Sequence, residues 1–241
     1  LPAVTASRLD RRRSLLEQFD DKLRRIDHSR AADSLSEFQQ QVFRLLTSPR
    51  TRDAFDLSKE SSETRARYGN TVWANSCLVA RRLVEAGSTF ISVNWEEADS
   101  GNHWDLHANN FNMCRHHLPI LDQMFTALVD DLQQRGLLET TLVVLMGEMG
   151  RTPRINAKAG RDHWPQCGFV VLAGGGTKRG LVLGKTDKQA AYPVDRPVSA
   201  GDMAATIYQQ LGVDPTLTVN DLQGRPIHIA HGGQPVWEVI G

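Results

Sequence analysis

Cysteine is scarce. The three present, Cys77, Cys114 and Cys167, stand far apart and form no Cys-x-x-Cys pair. That spacing excludes a disulfide framework and a zinc knuckle, and it allows at most one disulfide. A surplus of one charge is missing too: 28 Lys and Arg are met by 28 Asp and Glu, so the formal net charge is zero. Binding nucleic acid through phosphate contacts draws on a basic surplus, which this chain lacks as a whole. Long apolar runs are also lacking. Runs such as 169–173 are far too short to span a bilayer. No nucleic-acid partner and no transmembrane segment are therefore expected, and the oligomeric state is open. No Walker GxxxxGK[ST], GxGxxG or GxSxG motif occurs. Internal repeats, low-complexity stretches and an inter-domain linker are absent as well. The chain opens Leu1-Pro2, without Met or a signal peptide, which reads as a processed or trimmed piece of a longer protein.

What remains is ordinary globular material. Of 241 residues, 40% are hydrophobic and 23% charged, which rules out a disordered tail, a collagen repeat and a coiled-coil rod. The pattern predicts one α/β domain over 1–241, with a mainly helical segment at 1–87 and a sheet-containing core at 88–241. Leu15, Leu16, Phe19, Leu23 and Ile26 follow Arg11-Arg12-Arg13 at helical spacing, and the arginines read as a solvated face. A second helix is expected over 35–46, with Pro49 ending it. A short connector follows at 54–57. Ser61 or Ser62 then caps one long helix through Leu83, with Gly87 at its end. Residues 89–93 are β-rich. Leu118, Leu121, Phe125, Leu128 and Leu132 mark an amphipathic helix that ends at Gly136, and His116-His117 before them reads as surface or capping. The runs 140–146 and 168–173 predict strands buried on both faces, with a shorter one at 181–183. Between the last two, 173–180 reads as a hairpin turn rather than a phosphate loop. Ser199 and Asp202 have capping-box spacing at the head of a helix ending at Gly212. Strand, helix and strand in alternation predict a layered α/β sheet.

Ligands of open α/β sheets gather beyond the carboxyl ends of strands, so three strand-following clusters attract notice. His103-Trp104-Asp105-Leu106-His107 follows 89–93. In extended chain Asp105 and His107 share one face, where a carboxylate and an imidazole can converge on one cation. The competing reading is a polar loop bonded to its own backbone. Gly147-Glu148-Met149-Gly150-Arg151 follows 140–146, offering either a metal carboxylate or a surface pair of Glu148 with Arg151. Gly160-Arg161-Asp162-His163-Trp164 is the third; its alternative is a turn held by Trp164. Arg161 suits a phosphate or sulfate oxygen pair. Together Asp105, His107, Glu148, Asp162 and His163, with His103 as an addition, suffice for one or two divalent metals. Such a metal acts as a Lewis acid and generates a hydroxide nucleophile. His228 and His231 read as structural.

These residues sit in long stretches that resemble the DUF1501 family, abundant in planctomycetes. The matching segments are AFDLSKE at 54–60, ARRLVEAG at 80–87, WDLHANNF at 104–111 and LDQMFTALVDDLQQRGLLETTLVVLMGEMGRTPRIN at 121–156. GRDHWP at 160–165, LAGGGTKRG at 172–180, DMAATIYQQLGVD at 202–214 and GRPI at 224–227 complete the series. The chain looks like the later part of a typical member, whose earlier part follows an export signal. The family is in turn similar to the alkaline phosphatase and sulfatase superfamily, whose three-layer α/β/α sandwiches hydrolyse phosphate or sulfate esters with bound metals. Asp202, Thr206, Gly212 and Gly224-Arg225 resemble the sulfatase tail. The resemblance implies a sandwich lacking its N-terminal part, in an exported periplasmic or cell-surface protein. The substrate would be a phosphate or sulfate ester, small or polysaccharide. The implied metal is zinc first, with calcium or magnesium as alternates. Asp105 and His107 resemble the first ligand pair, Glu148 falls where an Asp-His pair would stand, and His163 falls near the last ligand. Arg151 and Arg161 would bind the oxyanion. Two departures stand out. Glu148 is followed by Met149 rather than His, so that one ligand is lost or comes from elsewhere, such as Asp162. The superfamily's nucleophile strand has no counterpart in this helical opening. The alternative is a non-catalytic structural or binding module with a degenerate site.

Overall fold

The computed structural model describes Glu37, Gln39, Gln40, 48–95 and 104–241. The first expected helix and most of the second lie outside these residues, although Glu37, Gln39 and Gln40 are helical. The chain divides into two units, Leu1–Ser61 with Arg82–Ile91, and Ser62–Arg81 with Ser92–Gly241.

In the first unit, α1 spans Pro49–Phe55 and a 3-10 turn follows at Leu57–Lys59. Pro49 opens a helix, in the first turn, where a missing N–H costs no intrahelical bond; the end of the expected 35–46 helix lies outside the described residues. The last carbonyls of α1 have no helical partners, and Arg82 supplies donors. Its Nε bonds Ala54 O at 2.9 Å, its Nη2 bonds Asp53 O, and its Nη1 pairs with Glu60. Residues 89–93 form no strand. Their β-branched content favours extended chain, but no neighbouring strand among the described residues offers a ladder, and Phe90 stays exposed.

In the second unit the predicted long helix is two. α2 covers Ser62–Tyr68, and α3 begins at Val72 and runs to Glu85. Gly69 separates them with a φ of 104°, a left-handed conformation that a helix cannot contain. α4, Asn110–Gln134, begins earlier than the leucine spacing implied and carries Pro119 within it. Gln123 on α4 donates to the last α2 carbonyls, Ala66 O and Arg67 O, both at 3.2 Å. α5, Ala200–Gln210, has the expected capping box: Ser199 Oγ accepts from Asp202 N, and the Asp202 carboxylate accepts from Ser199 N.

The strands are β1 Val143–Met146, β2 Gly150–Arg151, β3 His163–Trp164, β4 Val170–Ala173, β5 Lys185–Thr186, β6 Pro193–Asp195, β7 Thr218–Asn220 and β8 Pro226–His228. Among the described residues they pair as four two-stranded antiparallel sheets, β1 with β4, β2 with β3, β5 with β6 and β7 with β8. The unit is thus mixed α/β. The β1–β4 pair is half-buried rather than enclosed, because each strand has one neighbour among the described residues. Residues 181–183 are not a strand: Val182 is 90% exposed, and pairing begins only at Lys185. The glycine-rich turn is not a hairpin either, since β4 already pairs with β1. Its N–H groups go elsewhere, Gly175 to Leu138 O and Lys178 to Val239 O, both at 2.9 Å. All three cysteines are free. No helix of the described residues is long and apolar enough to cross a membrane.

A buried charge joins α2, α3 and α4. Asp131 accepts from Tyr68 Oη at 3.0 Å and pairs with Arg81 Nε and Arg135 Nε, each at 2.8 Å. Arg81 is only 1% exposed. Burial alone would raise the Asp131 carboxyl, but the Arg135 hydrogen bond, the Arg81 charge and the Tyr68 hydroxyl hold it below its ordinary value. Burial, and then the Asp131 charge, push the Tyr68 phenol up. A carboxyl lowered on folding contributes stability above its unfolded pKa of about 4, and that contribution is lost as pH falls through the folded value. Asp131→Ala is therefore expected to cost about 3–5 kcal/mol in urea unfolding at neutral pH, because the buried Arg81 loses the Asp131 carboxylate from its surroundings. The gap between wild type and variant should narrow below about pH 4. A loss within about 0.5 kcal/mol would contradict the account.

Candidate metal centre

The segment 104–107 alternates between core and surface. Trp104 and Leu106 turn inward, Leu106 fully buried, and Asp105 and His107 turn outward. This is the period of extended chain, and it is why the two polar residues share a face. Trp104 anchors the segment. Its ring lies 5.0 Å from that of His117 on α4 and 5.2 Å from Trp95, which stacks on Trp73 at 4.1 Å. His117 is 0% exposed, so the expectation of a surface or capping histidine is corrected. Aromatic packing of Trp73, Trp95 and Trp104 encloses it. His103 lies outside the described residues.

The second half of the site comes from β2, β3 and the loop between them. β2 and β3 align Arg151 opposite His163, so both side chains leave the same face. The connecting loop is held by Asn156. Its Oδ1 accepts from Lys158 N and Gly160 N, both at 2.9 Å. Its Nδ2 donates to His107 O at 3.0 Å and to Asp162 Oδ1 at 3.1 Å. All four hydrogen-bonding positions of the amide are filled. Gly160 permits the approach: a Cβ there would overlap the His107 carbonyl. Arg161 N donates to Leu106 O at 3.0 Å, closing the two segments on each other.

Three ligand atoms converge. Asp105 Oδ1 lies 2.8 Å from His163 Nε2 and 3.1 Å from His107 Nε2, and the two Nε2 atoms are 3.2 Å apart. The three side chains are about half exposed, so the cluster faces solvent. Arg151 Nη1 lies 2.6 Å from the same Asp105 oxygen, and its Nη2 donates to Trp104 O at 3.3 Å. The His163 hydrogen bond, followed by Arg151, brings the Asp105 carboxyl down to about 2. On the far side of the His107 ring, Nδ1 lies 3.0 Å from Asp162 Oδ1. Hydrogen bonds from His107 and then Asn156 hold the Asp162 carboxyl below its ordinary value.

Of the expected ligands, Asp105, His107 and His163 form the one group of three or more such side chains among the described residues whose ligand atoms converge. Asp162 and Glu148 lie outside it. Asp162 bonds the outer nitrogen of the His107 ring, and Glu148 sits exposed on the turn after β1. The alternative pairing of Glu148 with Arg151 is not formed, since Arg151 goes to Asp105. Arg161 turns away, its Nη1 donating to Thr152 O at 2.6 Å and Pro153 O at 2.8 Å. Asn156 went unnoticed in the sequence. An uncharged amide in a loop carries no metal or acid–base signature, and its reach to His107 is visible only in three dimensions.

Gly160→Ala is expected to destabilise the chain by about 1–3 kcal/mol, the usual cost of forced overpacking. Gly147→Ala, where the nearest atom to an added Cβ is 3.7 Å away, should stay within about 0.5 kcal/mol of wild type. Equal losses in urea unfolding would contradict the close approach at His107.

No curated protein and no solved structure matches the chain. One family model does, the one described as protein of unknown function DUF1501, and it matches residues 2–240. With almost its whole length matched, the chain belongs to the DUF1501 family.

Proposed function

We propose that the chain is the metal-binding part of a hydrolase of phosphate or sulfate esters, of alkaline phosphatase-like α/β/α sandwich type, in an exported protein. The observation that carries this reading is the triangle of Asp105 Oδ1, His107 Nε2 and His163 Nε2, with edges of 2.8, 3.1 and 3.2 Å. Ligands about 2.0–2.1 Å from a tetrahedral zinc stand about 3.3 Å apart, so the three atoms match three corners with little movement. Two imidazoles and one carboxylate form a borderline donor set that suits zinc better than calcium or magnesium, which take oxygen ligands.

The residues present therefore fit a divalent metal. Asp105, His107 and His163 would hold it, on a face where all three side chains are about half exposed. When bound, such a metal supplies Lewis acidity toward an ester oxygen and lowers the pKa of water. Arg151, held through Nη1 on Asp105 and Nη2 on the Trp104 carbonyl, stands beside the site, where its positive charge would stabilise an oxyanion. Arg161 is engaged with the Thr152 and Pro153 carbonyls and holds the loop. The second reading, a non-catalytic binding module, is favoured by one fact: Arg151 already neutralises Asp105, so the cluster is charge-satisfied by protein groups alone.

Zinc titration of the chain separates the possibilities. Wild type is expected to bind one zinc at micromolar concentration or tighter. Asp105→Ala and His163→Ala should each lose more than the 10–100-fold typical of residues that merely orient a ligand. Unchanged stoichiometric zinc in both variants would overturn the site. Zinc binding without turnover of aryl phosphate or aryl sulfate would favour the binding module.

A further inference from the structure

We propose that Asn156 and Asp162 are positioning residues for His107, fixing its ring with the proton on Nδ1 and presenting an unprotonated Nε2 to the metal shared with Asp105 and His163. The proposal rests on the metal-site reading above and deepens it. It follows from a chain of donors and acceptors that begins at the backbone. The N–H groups of Lys158 and Gly160 can only donate, and both meet Asn156 Oδ1 at 2.9 Å. That orients the amide with its nitrogen toward Asp162. Nδ2 then donates to Asp162 Oδ1 at 3.1 Å, so this oxygen is an acceptor. The same oxygen lies 3.0 Å from His107 Nδ1, so that ring nitrogen is the donor. A neutral ring protonated at Nδ1 carries its lone pair on Nε2, the atom 3.1 Å from Asp105 Oδ1 and 3.2 Å from His163 Nε2.

The amide does a second thing. Its other Nδ2 hydrogen goes to the His107 carbonyl at 3.0 Å, so one side chain sets both the main chain and the ring of the same residue. Metal-bound histidines are commonly held in this way, the second ring N–H given to a carboxylate that fixes the tautomer and raises ligand basicity. Asp162 thus serves behind the ligand instead of as one, consistent with its place outside the converging set.

The test uses the full chain with 15N-labelled histidine and zinc ion as the probe. Above the histidine titration range, long-range 1H–15N spectra of the metal-free chain are expected to show His107, identified against His107→Gln, as the Nδ1–H tautomer. Zinc should then shift its Nε2 resonance. Asp162→Asn keeps an acceptor oxygen and should retain the tautomer, with zinc affinity within about 10-fold of wild type. Asp162→Ala and Asn156→Ala should lose the tautomer and bind zinc about 10–100-fold more weakly. An Nε2–H ring in wild type overturns the proposal. So does Asp162→Asn losing zinc as fully as Asp105→Ala, which would make Asp162 a ligand. Unchanged tautomer and affinity in Asp162→Ala overturn it as well, leaving Asp162 a loop residue. A wild-type chain with the Nδ1–H ring and no zinc affinity supports the positioning and overturns the metal reading, so the two failures are read separately.

Discussion

The candidate site depends on one side-chain amide. Asn156, together with the backbone bond from Arg161 N to Leu106 O, joins two segments that lie outside any helix or strand where they meet, 104–107 and 156–162. Each hydrogen bond is modest in net free energy, of the order of 1 kcal/mol. Their value lies in geometry: four directions fixed at one amide set the His107 main chain, the loop that carries Asp162, and through Asp162 the His107 ring. Gly160 makes this possible by having no Cβ where the His107 backbone passes. The same contact places Asp105 within reach of Arg151 and His163, whose own spacing comes from the β2–β3 pair.

Beneath the site, rigidity comes from packing. Trp104 ties the 104–107 segment to His117 on α4, and α4 is tied to α2 and α3 by the buried Asp131. Such a base suits a metal site. Ligands on exposed loops are held accurately only when the residues next to them in the chain are locked, and Trp104 and Leu106 flank Asp105 from below. The Asp105, His107 and His163 side chains themselves stay about half exposed.

Legibility in the sequence followed the range of the interactions. The α5 capping box was readable because Ser199 and Asp202 satisfy each other within one turn. Asp105 and His107 were readable as a pair because strand alternation is local. The break at Gly69 was hidden, since a single glycine in a helical pattern does not reveal that its backbone turns left-handed. Residues 89–93 and 181–183 have strand composition but no partner to make them strands, and partners are not local. His117 was misread for the same reason: its neighbours come from α3, Trp95 and Trp104. The roles of Asp162, Asn156 and Arg161 turned on which of several polar atoms each would meet, which spacing along the chain does not determine. The DUF1501 resemblance, carried by long ordered stretches, held over nearly the whole chain.

Asp105, His107 and His163 are proposed to form a centre for a divalent metal. X-ray absorption at the zinc edge of the zinc-loaded chain tests it most directly. The account predicts only nitrogen and oxygen neighbours at about 2.0–2.1 Å, with multiple scattering from two imidazole rings. A sulfur neighbour at about 2.3 Å, or a shell without imidazole, would place the metal elsewhere and contradict it.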